Sequence, residues 1–164
     1  MARVSVLTAS DKGAAGERSD ESGDVIVRKL RDGGHEVMRR DIVADERESI
    51  AEHLRAWADD GLCDVIITTG GTGLTPRDVT PEATRDIGER DVPGIATALV
   101  ANGLRNTPYA ALTRGIAVTR GKTLIVNLPG SPKAAAEGME VLLPLLTHVA
   151  ELLAGPTEHR PGAV

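Results

Sequence analysis

Val4 to Ala9 is a short, apolar, β-branched run, and the polar segment Ser10 to Ser22 leads from it into a different period, with Val25, Ile26 and Leu30 at helical spacing. Gly33 and Gly34 end that helix. The change of period then repeats. His35 to Val43 alternates as a second strand, after which Ile50, Leu54, Trp57 and Ala58 share one face of a second helix. Asp64 to Thr69 (DVIITT) is too short and too β-branched for a helix and reads as a strand buried on both faces. A helix over Gly94 to Arg105 follows. Gly115 to Thr119 and Thr123 to Asn127 then form two strands around Arg120-Gly121-Lys122. The last element is a long amphipathic helix carrying Met139, Leu142, Leu143, Leu146, Val149, Leu152 and Leu153; Pro144 is expected to kink it and Gly155-Pro156 to stop it. Alternating strands and helices predict an α/β fold of three layers, α/β/α, with a mostly parallel sheet and a short β-hairpin. Ligands of such sheets bind beyond the carboxyl ends of the strands.

A chain of 164 residues suits one domain and can bury roughly two-thirds of its unfolded surface. Residues 1–155 are expected to form that domain, and the Pro/Gly-rich 156–164 a flexible tail. The core must be aliphatic, because Trp57 and Tyr109 are the only aromatic residues and Phe is absent. Stacking on nucleic-acid bases is therefore not expected. A net charge of -5 argues in the same direction, against nonspecific attraction to DNA or an anionic membrane. The first residues lack the apolar core of a signal peptide and no run is long enough to span a bilayer, so a cytoplasmic location is the expectation. Cys63, the single cysteine, has no intrachain partner and reads as a small, semi-buried residue.

Two segments fall at strand ends and combine flexible backbone with a helix start. Thr68 to Thr84 (TTGGTGLTPRDVTPEAT) carries Gly70, Gly71, Thr72 and Gly73 straight after Thr69, and Thr80-Pro81-Glu82 resembles a helix N-terminus with Thr80 as cap. Asn127 to Lys133 (NLPGSPK) carries Pro129 and Gly130, with Ser131 as a cap and Pro132 in the first turn. Free amides and the positive dipole end of a helix attract anions, so two loops of this kind point to a phosphate site. Lys133 is unfavourable in a first turn unless an anion sits there. Asp78 follows the glycine loop and could present a carboxylate beside a phosphate, as Mg²⁺ sites require; capping the Thr80 helix or pairing with Arg77 are the simpler roles. Asp45 follows the second strand, and Asp45-Glu46-Arg47-Glu48 matches a capping box. Capping and metal binding are compatible, and the two acids could converge on one ion. Ser10-Asp11-Lys12 follows the first strand and points to the same edge, where Asp11 could accept hydrogen bonds from a heterocycle and Lys12 could contact phosphate.

Two look-alikes fail. Gly115 to Thr123 has five residues where a Walker A loop has four, and a strand follows it; Pro76 stands where a dinucleotide fingerprint needs its third glycine. The histidines, His35, His53, His148 and His159, show no metal-ligand spacing.

TTGGTGLTPRDVTPEAT together with VNLPGSPKA resembles the MogA/MoaB family of molybdenum-cofactor biosynthesis, with the corresponding domains of plant Cnx and animal gephyrin, over Val4 to about Leu153. SDK at Ser10 to Lys12 and VADE at Val43 to Glu46 match further family segments. The resemblance implies a MogA-like molybdopterin-binding fold, a homotrimer and Mg²⁺-ATP-dependent adenylylation of molybdopterin, with pyrophosphate released and a molybdenum-insertion protein as partner. It implies Asp45 and Asp78 as the catalytic, metal-positioning pair, Gly70 to Gly73 as the phosphate cradle, and Ser10, Asp11, Pro129, Gly130, Ser131 and Lys133 around the pterin and its phosphate. The noncatalytic alternative is a molybdopterin-binding or scaffolding trimer. A nucleotide-hydrolysing relative of the CinA type is a third.

Overall fold

The structure, a computed structural model, describes residues 1–155. The expected tail, 156–164, lies outside the described residues. In chain order the elements are β1 (Arg3–Ala9), α1 (Asp11–Ala14), α2 (Glu21–Asp32), β2 (Glu36–Val43), α3 (Arg47–Asp59), β3 (Val65–Thr69), α4 (Thr80–Ile87), β4 (Arg90–Asp91), α5 (Pro93–Leu104), a 3-10 turn (Pro108–Leu112), β5 (Ala117–Arg120), β6 (Thr123–Leu128) and α6 (Pro132–Ala154). The six strands form one sheet in the order β2-β1-β3-β6-β5-β4. Strands β2, β1, β3 and β6 run parallel, whereas β5 turns back on β6 and β4 on β5. The expected hairpin is the β5–β6 pair.

Strand β3 is buried along its whole length, VIITT, as an inner strand of a parallel sheet must be. Its side chains alternate between two cores. Val65 and Ile67 join Ile26 and Leu30 of α2 and Met139 and Leu142 of α6; Ile66 joins Ile50, Leu54 and Trp57 of α3 and Ile87 of α4. The three layers follow from that period of two. Cys63 is more deeply buried than its sequence setting implies, at 2% exposure, because it belongs to the core cluster that holds Trp57 and Ala58, and burial raises its thiol pKa.

Three elements depart from the sequence reading. Ser10 to Ser22 is not all loop: Ser10 accepts from the Gly13 amide at 3.0 Å and caps the short α1. Neither the two-residue β4 nor the turn at Pro108–Leu112 has a periodic signal, being too short to show one. The last helix stops where the sequence places its end, at Gly155 with φ of 85°, and α6 includes Pro144 on its exposed side.

At the amino edge of the sheet, Asp64 ties β3 to β1. Its Oδ2 accepts from the Arg3 amide at 2.8 Å and its Oδ1 from Arg3 Nη2 at 2.7 Å. Burial opposes ionisation of this carboxyl, but the bonds and charge of Arg3 outweigh it and hold the pKa below the usual carboxylate value. A depressed folded pKa adds stability above the unfolded value, near 3.9, that is lost as pH falls through the folded value. Asp64→Asn is expected to cost about 1 kcal/mol at neutral pH, a modest figure because Arg3 is partly exposed. Urea unfolding at pH 7 and pH 3 checks the sign: the gap between variant and parent should shrink at the lower pH.

Candidate functional site

The carboxyl ends of β1, β2, β3 and β6 come out on one rim. The chain runs from β1 to β2 on one side and returns to β3 on the other, so the loops after β1 and β3 part company there, where parallel sheets bind their ligands. Gly70 and Gly71 have φ of 90° and 66°, a left-handed path that lets the backbone turn sharply away from β3. The second loop lies beside the first, since β3 and β6 are paired. Thr69 Oγ1 donates to the Pro129 carbonyl at 2.8 Å, and a Cβ on Gly130 would stand 3.1 Å from Gly70 Cα.

The amides of Gly71, Thr72, Gly73, Gly130 and Ser131 meet no acceptor among the described residues. Ser131 caps α6 by accepting from the Ala134 amide at 3.1 Å, as its sequence position predicts. Two cavities open against this wall. One, of about 470 Å³, is walled by Thr72, Gly73, Asn127 and Pro129 and by apolar groups of α5, among them Leu99 and Val100. The other, of about 340 Å³, is polar and walled by Ser10, Asp20, Asp45 and Gly70 among others. Gly71, Asp78, Gly130 and Ser131 line both and so form the partition between them.

Asp45 and Asp78 flank the glycine loop. Asp45 Oδ1 lies 3.2 Å from where a Gly71 Cβ would sit, and Asp78 Oδ2 lies 2.9 Å from where a Gly73 Cβ would sit. The capping box does not form. Helix α3 is capped at Glu46 without a side-chain bond, because the Asp45 carboxylate turns to α1 instead. Asp11 N donates to Asp45 Oδ2 at 3.0 Å, and Asp45 N donates to Asp11 Oδ1 at 2.9 Å. Neither Asp78 nor Thr80 caps α4, whose cap position is Val79. Asp78 Oδ2 closes its own loop, accepting from the amide and hydroxyl of Thr75 at 2.9 and 2.7 Å. Thr80 is the first residue of α4, and its buried hydroxyl has no partner. Each acid therefore has one oxygen bonded to protein and one, Asp45 Oδ1 or Asp78 Oδ1, that meets no donor among the described residues.

Arg77 does not pair with Asp78. Its guanidinium donates to both oxygens of Asp11, at 3.0 and 2.8 Å, and to Glu46 Oε1 at 2.9 Å. Arg77, with the Asp45 amide, holds the Asp11 carboxyl below its ordinary pKa. Asp45 is shifted the other way: burial pushes its pKa up, the Asp11 amide opposes this, and the charges of Asp11 and Asp78 add to the rise. An acid that is costly to ionise beside another acid is a place where a cation is favourable. No group of three or more His, Cys, Asp or Glu side chains among the described residues is arranged to hold a metal, so an ion on this pair would complete its shell with water or substrate oxygens.

The remaining candidates divide. Asn127 borders the larger cavity but is spent on structure, donating to Thr68 and Thr84 hydroxyls and accepting from the Ile116 amide. Asp11, Lys12, Thr69 and Lys133 line neither cavity; Lys12 and Lys133 are exposed. Sequence reasoning missed Arg114, whose guanidinium reaches Gly73, Asp78 and Glu82. It stands more than thirty residues away in a loop with no motif, so only the fold reveals it.

The profile of a family described as "Probable molybdopterin binding domain" matches residues 5–148. The chain belongs to this molybdopterin-binding family. It is 38% identical over 154 residues to the molybdopterin adenylyltransferase of Helicobacter pylori strain J99, covering 93% of this chain and 88% of that one. It is 40% identical over 149 residues to the Drosophila melanogaster molybdenum cofactor synthesis protein cinnamon, covering 90% of this chain but spanning only 25% of that protein's length. Among solved structures, the molybdopterin biosynthesis enzyme MoaB of Thermus thermophilus superposes with a TM-score of 0.88 at 52% identity, over 95% of this chain and 98% of that one. The MogA/MoaB fold expected from the motifs is the fold observed.

Proposed function

We propose that this protein is a molybdopterin adenylyltransferase of molybdenum-cofactor biosynthesis, transferring AMP from Mg²⁺-ATP to the terminal phosphate of molybdopterin. The observation that carries the reading is the wall shared by the two cavities, where unbonded amides from both loops stand with Asp78, while Asp45, also with an unbonded oxygen, lines the polar side of it. Nucleotidyl transfer needs alignment and charge neutralisation more than a protein nucleophile. A phosphate oxygen of molybdopterin attacks the α-phosphorus of ATP; the new P–O bond forms as the bond to the β-phosphate bridging oxygen breaks, and pyrophosphate leaves with that electron pair. The amides of Gly71 to Gly73 and of Gly130 and Ser131 hold phosphate oxygens and stabilise charge gathering on them. Asp45 and Asp78 hold the Mg²⁺, which supplies positive charge against the triphosphate when bound. The same proposal includes a cytoplasmic homotrimer and a partner that inserts molybdenum.

Purified protein given molybdopterin, ATP and Mg²⁺ is expected to release one pyrophosphate per adenylylated pterin. Tight pterin binding without pyrophosphate would support the noncatalytic, scaffolding alternative. Nucleotide consumption without pterin would support a hydrolase instead.

A further inference from the structure

The segment that delivers Asp78, from Gly73 to Asp78, stands away from the protein body. Leu74 is 65% exposed and Thr75, Pro76 and Arg77 are also exposed, while α4 beyond it lacks a side-chain cap. Within the segment only Thr75 and Asp78 bond to each other. The Arg77 side chain ties the middle of the segment to Asp11 and Glu46, which leaves its two backbone ends to be fixed. Arg114 holds both at once: Nε donates to the Gly73 carbonyl at 2.7 Å and Nη2 to the Asp78 carbonyl at 2.6 Å. The same guanidinium is held by Glu82 in the first turn of α4, Nη1 to Oε1 and Nη2 to Oε2, the latter at 3.4 Å. Its own backbone is fixed too, since Arg114 N donates to the Thr72 carbonyl at 2.8 Å. One half-buried planar group therefore spans the glycine loop, the base of the acidic segment and the helix that follows.

We infer that Arg114 is a positioning residue, whose rigid fork clamps the two carbonyls bounding the acidic segment and thereby sets where the Asp78 carboxylate stands. The catalytic consequence rests on the adenylyl-transfer reading; the clamp itself does not. A lysine cannot substitute, because one ammonium presents its donors from a single point, whereas the guanidinium offers separated donors in a fixed plane. Displacement by about an ångström of a group that orients reacting atoms can cost about 10²-fold in rate.

The test compares wild type, Arg114→Lys and, should lysine prevent folding, Glu82→Gln, which keeps the arginine but removes its anionic anchor. Amide hydrogen exchange at Thr75 and Asp78 in the ligand-free protein reads the clamp; kcat and the KM for molybdopterin read its effect. The expected result is exchange at those amides faster by about tenfold, kcat lower by roughly 10- to 100-fold and a pterin KM changed by less than about twofold. Arg114→Lys placed on Asp78→Asn should lower the residual rate no further, because the arginine acts through that carboxylate. Unchanged exchange overturns the inference, as does an equal further loss in the double variant. If wild type releases no pyrophosphate, the adenylyl-transfer reading fails and exchange alone decides: faster exchange upholds the clamp and unchanged exchange removes it.

Discussion

Asp78→Asn is expected to lower the rate of pyrophosphate release by about 10²-fold or more while leaving molybdopterin binding and thermal stability nearly unchanged. The structure makes this substitution unusually clean. Asp78 Oδ2 is spent on the amide and hydroxyl of Thr75, a role the carbonyl oxygen of asparagine can take over. The exchanged atom is then Oδ1, the one that meets no donor, and what is lost there is negative charge rather than shape. Removing the charge also relieves Asp45, whose pKa is raised in part by Asp78. The variant's fold should therefore not suffer. Steady-state pyrophosphate release across a magnesium titration, beside pterin binding by calorimetry, checks both halves. A rate within about threefold of wild type would remove Asp78 from the chemistry.

What the sequence shows and hides at this site follows from the range of the interactions. The glycine loop, the Ser131 cap and the apolar faces of α2, α3 and α6 are local patterns, set by residues three or four apart or by backbone freedom at one position, and they read correctly. Asp45 shows where local reasoning stops. Its spacing to Glu48 fits a capping box, yet a partner 34 residues away takes its carboxylate, because the parallel pairing of β1 and β2 brings Asp11 beside it. Arg77 fails in the same way: its neighbour in sequence is Asp78, but Asp11 and Glu46 satisfy it across the rim. The apolar wall of the larger cavity is hidden for another reason. It draws on α5, whose apolar residues surround the helix with almost no preferred face, so periodicity gives no hint of which side meets a ligand.

Gly70→Ala is expected to lower both stability and pyrophosphate release severely. Two costs coincide there. A φ of 90° is a backbone conformation that alanine rarely adopts, and a Cβ would stand 2.3 Å from the Ala9 carbonyl oxygen, a backbone atom of β1 that cannot swing aside. Strain and overpacking each cost about 1–3 kcal/mol. Gly61→Ala separates them, because Gly61 has φ of 71° and nothing within 4 Å of its Cβ position, leaving only the conformational cost. In urea unfolding the Gly70 variant should lose clearly more stability than the Gly61 variant, and the difference measures the close approach of the glycine loop to the end of β1. That approach also governs function. Pushing Gly70 off Ala9 moves the loop away from Ser10 and Asp11, and so parts Asp78 from the Asp45 that Asp11 holds in place. Gly70→Ala should accordingly lose most pyrophosphate release even at temperatures where it stays folded, whereas Gly61→Ala, at the amino edge of the sheet, should keep it. Equal losses of stability in the two variants would mean that β1 and the loop are not in contact, and the acids would have no common frame.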